Sequence, residues 1–125
     1  MSTRASIQLK HHEDIIHLYR HSDGYPESLG VELAEFLTSY EEDYWDCERM
    51  ATELVRLEHS DIEVAMCEHA DCEFKYVIDC VLHSVQVFAK RYLDFEACGK
   101  EFEWVDMTHN PNLPKELFAI KPVFA

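Results

Sequence analysis

From Thr3 to Leu9 the chain alternates apolar Ala5, Ile7 and Leu9 with Arg4, Ser6 and Gln8, the period of a strand with one covered face. It turns through His11-His12-Glu13-Asp14 into a second such segment, Asp14 to His21, where Ile16 and Leu18 alternate with His17 and Tyr19. An N-terminal hairpin is predicted. Asp23-Gly24 is a turn pair, with Gly accepting positive φ and Asp bonding the backbone downstream, and Pro26 holds Tyr25 extended. Helical spacing then takes over in Leu29, Leu33, Phe36, Leu37 and Tyr40, with Ser28 as N-cap and Gly30 a cost in the first turn. Cys47, Met50, Ala51, Leu54 and Val55 recur at three and four residues, so a second amphipathic helix is predicted to end near Leu57, with Asp43 as cap and Asp46 near its positive end. Ile62 to His69 fits both periods and is read as a short helix or irregular segment.

The second half reads as strand. Phe74, Tyr76, Ile78, Cys80 and Leu82 alternate with polar or smaller residues, and Val85, Val87 and Ala89 continue after a break at His83-Ser84. Cys98-Gly99 turns into a further strand around Phe102 and Trp104, and Asn110-Pro111 and Pro114 end regular structure. The tail from about 111 to 125 carries Leu117, Phe118, Ile120, Val123 and Phe124. An apolar tail must be covered, so Phe118, Ile120 and Phe124 are expected to be buried on the domain or in a homodimer, the dimer being favoured. The order β-β-α-α-β-β-β predicts one α+β domain over 1–125, an antiparallel sheet with two helices packed on one face. The other face is expected to present Arg4, Gln8, Arg20, Lys75 and Asp79.

At 125 residues and 47% apolar composition, the chain suits one domain that buries about two-thirds of its unfolded surface. No apolar run approaches a membrane span and no signal-peptide order opens the chain, so a cytoplasmic protein is expected. Five irregularly spaced cysteines read as reduced thiols. Cys67-x-His69-x-x-Cys72, preceded by His59, gathers soft ligands, but no second paired hook exists to complete a zinc site, and neither metal nor cofactor is expected.

The formal charge of −14 changes the picture most. Between Glu41 and Asp79 thirteen acidic residues face only Arg49, Arg56 and Lys75, a local net of −10. Direct contact with a nucleic-acid backbone or an anionic membrane is disfavoured, because both need clustered Lys and Arg. A charge beyond the range of about two to eight that serves solubility steers a small domain toward a basic partner. Tyr40, Tyr44 and Trp45 stand among Glu41, Glu42, Asp43 and Asp46, the mixture of aromatic and acidic side chains expected of a surface that docks on a basic groove. Carboxylates so arranged could imitate a duplex strand, which carries one charge per about 1.7 Å.

The remaining chemistry gathers at the first turn. His21 and Asp23 are spaced so that a carboxylate can orient an imidazole, and Arg4 or Arg20 with Tyr25 could hold an anion beside them. The simpler reading has Asp23 close the turn, Tyr25 pack on the sheet and His21 bond backbone. Ser22 lacks the flanking glycines of a nucleophile elbow, and no catalytic residue is assigned.

The opening Thr3-Arg4-Ala5, followed by Tyr19-Arg20-His21-x-Asp23-Gly24-Tyr25-Pro26-Glu27, resembles a group of small, largely uncharacterised proteins of phages, prophages and bacteria. Those proteins begin with a Thr-Arg-Ala strand and carry a His-Trp-Asp-Gly-Tyr-Pro-Glu loop; Ser22 stands where the aromatic residue is expected. The likeness covers about the first forty residues. It implies a mobile-element setting in the cytoplasm and brings no established activity. The expectation is therefore a non-enzymatic, phage-type interaction protein that occupies a basic, nucleic-acid-binding surface of a host protein or defence complex. The alternative is a small-ligand-binding protein or small enzyme using the Tyr19–Glu27 loop.

Overall fold

Strands β1 (Ala5–His11) and β2 (Asp14–Arg20) form the predicted hairpin in a computed structural model that describes residues 3–40, 44–57 and 60–120. Tyr25 is extended before Pro26, as the proline dictates, and residues Pro26–Gly30 make one wide helical turn that runs directly into α1 (Val31–Ser39). Helix α2 (Cys47–Arg56) follows. Its cap is Asp46, whose Oδ1 accepts from the Glu48 and Arg49 amides at 3.1 and 3.2 Å. The cap expected at Asp43 falls on a residue outside those described.

Strand β3 (Ile62–Ala65) corrects the helical or irregular reading of that segment. Both periods were available locally; the free edge of β2 decides, because it offers the ladder partners that a lone turn of helix cannot match. Strands β4 (Phe74–Asp79), β5 (Ser84–Tyr92) and β6 (Phe102–Asp106) complete the sheet, with short helices α3 (Phe95–Cys98) before β6 and α4 (Lys115–Phe118) after it.

The molecule is α+β, with six strands in the order β3-β2-β1-β4-β5-β6. The expected antiparallel sheet is thus a mixed one: β1 pairs with β4 in parallel, Ala5 opposite Phe74 and Leu9 opposite Ile78, and the remaining pairs are antiparallel. The cause is β3. By taking the outer edge beside β2, it obliges residues 66–73 to cross back over the sheet, and the chain then enters the open side of β1 running the same way.

Ala5, Ile7, Leu9, Leu18, Ile62, Tyr76, Ile78 and Val87 point to one side, where Leu29, Leu33, Leu37, Met50 and Leu54 close over them as the core. Leu113 joins this core and Leu117 packs against it. The tail expectation is only partly met: Ile120 packs on the core, Phe118 is half exposed, and Phe124 lies outside the described residues. Among the described residues no helix is long and apolar enough to cross a membrane.

Candidate functional site

The residues of the first turn do not converge. In the sheet register Arg20 lies opposite Ala5 and Ile62, on the helix side, whereas Arg4 precedes Ala5 on the alternate side. Arg20 is therefore not on the outward face where it was expected; it continues the inward row of Ile16 and Leu18 and is 5% exposed. Its Nη1 meets Glu32 at 2.6 Å and its Nε donates to the Ser22 carbonyl at 2.6 Å. Arg4 pairs with Asp71 at 2.9 Å, and the same carboxylate oxygen accepts the Tyr19 hydroxyl at 2.8 Å. His21 sets its Nε2 2.9 Å from Glu63 and its ring edge-on to Tyr19. Asp23 is exposed at φ 52°, and Tyr25 is partly exposed. The two arginines thus serve opposite faces and form no common anion clamp.

The outward face holds more structure than a solvated surface needs. The crossing segment 66–73 lies over it like a strap: Glu68 accepts from Gln8 Nε2 at 2.9 Å and from Trp104 Nε1 at 3.1 Å, and pairs with Lys75 at 3.2 Å. Lys75 Nζ sits 4.8 Å from the Trp104 ring centre, while Lys90 Nζ lies 4.3 Å from that of Phe102 and donates to the Ala70 carbonyl at 2.6 Å. His69 tilts over Tyr19, with ring centres 4.2 Å apart. Within the strap, Cys72 is buried, which pushes its thiol up to about 12, and Cys67 is exposed. Among the described residues no three metal-ligating side chains gather, Cys67, His69 and Cys72 included.

Burial and the hydrogen bond to Asp71 push the Tyr19 hydroxyl up to about 12. For Asp71 burial works against ionisation, but the Tyr19 hydroxyl and the Arg4 guanidinium outweigh it and hold the carboxyl below its ordinary value of 3.8. Hydrogen bonds from Thr108 lower Asp106 in the same direction. A carboxyl whose folded pKa is depressed contributes stability that is present above its unfolded pKa and lost as pH falls through the folded one. The melting temperature is therefore expected to fall below about pH 4, and Asp71→Asn to flatten that fall while lowering stability at neutral pH; thermal melts from about pH 7 to about pH 2.5 check both.

In the acidic segment, Trp45 is 5% exposed and stacks on His83, rings 4.2 Å apart and 5° from parallel, which makes it part of the core. Tyr40 packs against the core beside Phe36, and Asp46 is occupied as the α2 cap. Tyr44 is exposed. Glu41, Glu42 and Asp43 lie outside the described residues.

What sequence reasoning missed is a groove of about 600 Å³ between α1, the end of α2 and β3. Leu29, Leu33, Phe36, Leu54 and Ile62 make its apolar lining, Leu57 stands at 47% exposure, and Arg20, Glu32 and Glu35 supply the charges. The helical residues read in sequence as core and Leu57 only as the end of the second helix, so no local signal marked the groove. Compared with known proteins, the chain matches no family model, no curated protein and no solved structure.

Proposed function

We propose that the protein is a non-catalytic acidic binding protein whose partner presents a basic surface, and that its helical layer carries the contact. The observation behind this reading is how the cations are placed. Arg4, Arg20, Arg49, Lys75 and Arg91 are each committed to an internal carboxylate, and Lys90 is folded over aromatic rings. By contrast Glu13, Asp14, Asp23, Glu27, Glu35, Glu48, Asp94, Glu96 and Glu101 are exposed without a cation partner among the described residues. Pairing thus takes up five of the eleven Lys and Arg, and the nine exposed carboxylates outnumber Lys10, Arg56, Lys100 and Lys115, which are exposed without a carboxylate partner among the described residues, so the excess negative charge faces outward.

Glu27, Glu35 and Glu48 stand on the helical layer, on either side in sequence of Glu41, Glu42 and Asp43. A field of that sign raises the encounter rate with a positive partner and repels nucleic acid. The loop's likeness to small phage and prophage proteins supports a cytoplasmic partner in a bacterial host, with a nucleic-acid-binding protein of a defence complex as the favoured kind.

The immobilised protein is expected to capture basic proteins from a bacterial lysate at about 0.05 M salt and to release them by about 0.5 M, where the screening length is only a few Å. Mass spectrometry of the eluate checks this. Capture dominated by neutral or acidic proteins, or capture indifferent to salt, contradicts it.

A further inference from the structure

The groove beside α1 has a chemistry that narrows the partner. Its floor is apolar over Leu29, Leu33, Leu54 and Ile62, with Phe36 and the half-exposed Leu57 at the sides. Arg20, at the inner end, is already neutralised by Glu32 and held by the Ser22 carbonyl. Glu35, three residues beyond Glu32 on the same helix face, lines the groove without a cation partner among the described residues. An apolar trough whose uncompensated charge, among the described residues, is negative is complementary to an apolar group flanked by a cation. A second copy of this chain is disfavoured, because two bodies of charge −14 repel. An anionic amphiphile would approach Glu35 and find Arg20 engaged.

We infer that this groove seats a basic amphipathic segment of the partner, with an aliphatic side chain against Phe36, Leu54 and Leu57 and a neighbouring Lys or Arg on Glu35. The inference rests on the acidic-surface reading above and adds to it a place and a motif. Helix-in-groove recognition works this way: apolar anchors one turn apart enter the trough, and charges on the flanks fix orientation. A volume near 600 Å³ is enough for more than one such anchor.

The test is a titration of the isotope-labelled protein, followed by amide and side-chain resonances, with a synthetic helical peptide of about 14 residues built from Leu and Lys at amphipathic spacing. A second peptide keeps every Lys and replaces each Leu by Ser. The first is expected to bind more tightly and to shift resonances of residues 29–36 and 54–62 above all others. Leu57→Ser and Glu35→Lys, both at accessible positions, should each weaken it about fivefold or more, and Glu96→Lys should not.

Equal binding of the two peptides, or shifts spread evenly to the β1–β2 turn and the β5–β6 end, overturns the groove proposal and leaves the acidic-surface reading standing. No binding of either peptide at low salt overturns both. Decanoate shifting the Arg20 guanidinium more strongly than the Leu–Lys peptide does, or self-association of the protein through the groove, also overturns the proposal by giving the groove another occupant.

Discussion

Replacing Gly24 by alanine is expected to destabilise the fold by about 3 kcal/mol and to lower its melting temperature by roughly 10 °C. A Cβ built on Gly24 falls 2.6 Å from Ala5 Cβ, 3.0 Å from Ala5 N and 3.1 Å from Arg4 C. None of these is the far end of a flexible side chain, and Ala5 is fully buried in the central strand. Retreat is blocked from both sides of the residue. The Gly24 amide donates to the Thr3 carbonyl at 2.9 Å, and its carbonyl accepts the buried Tyr76 hydroxyl at 2.7 Å. Moving the turn outward to admit the methyl group therefore breaks a backbone bond and strands a buried hydroxyl. Urea or thermal unfolding of Gly24→Ala checks the prediction; a loss within about 0.5 kcal/mol would show that the turn yields without disturbing β1.

The turn also shows how sequence reading can name a residue correctly and misplace its reason. Asp23-Gly24 is a turn pair, but the positive φ belongs to Asp23, and Gly24 is needed for close approach to β1. The hairpin, both longer helices and the β4–β5 pair were legible because each carries its own period in consecutive residues. Strand β3 and the parallel β1–β4 pair were not, since four residues fit either period and only a distant free edge decides between them.

Arg20 was legible in principle. It extends the Ile16–Leu18 row, and strict alternation places it inward, yet its charge argues for the opposite face until Glu32 is seen to meet it. Trp45 illustrates the reverse problem: among acids it reads as a surface aromatic, and the stack on His83 that buries it joins residues on two separate loops. The strap over the outward face left no local signal, because Glu68, Asp71, Gln8 and Trp104 come together only through the crossing of residues 66–73.

The second large effect concerns the acidic helical layer. Reversing Glu27, Glu35 and Glu48 to Lys is expected to abolish capture of the basic partner, a loss of about a hundredfold or more in affinity, because three attractive charges distributed over the helical layer become repulsive ones. All three are exposed and none is a helix cap or a partner in an ion pair among the described residues, so the fold should persist. Three reversals of two charges each take the net from −14 to −8, and that change alone would weaken any long-range attraction.

The control must therefore carry the same net charge. Reversing Glu13, Glu96 and Glu101 also gives −8 but alters the β1–β2 turn and the β5–β6 end instead. Partner affinity of the two triple variants, measured side by side at one salt concentration with circular dichroism to confirm folding, decides whether the helical layer is the binding surface. Capture is expected to be lost in the Glu27, Glu35, Glu48 variant and largely kept in the control. Equal affinity of the two folded variants would contradict this, because it would show that the charge acts only as a diffuse whole and that the helical layer is not the binding surface.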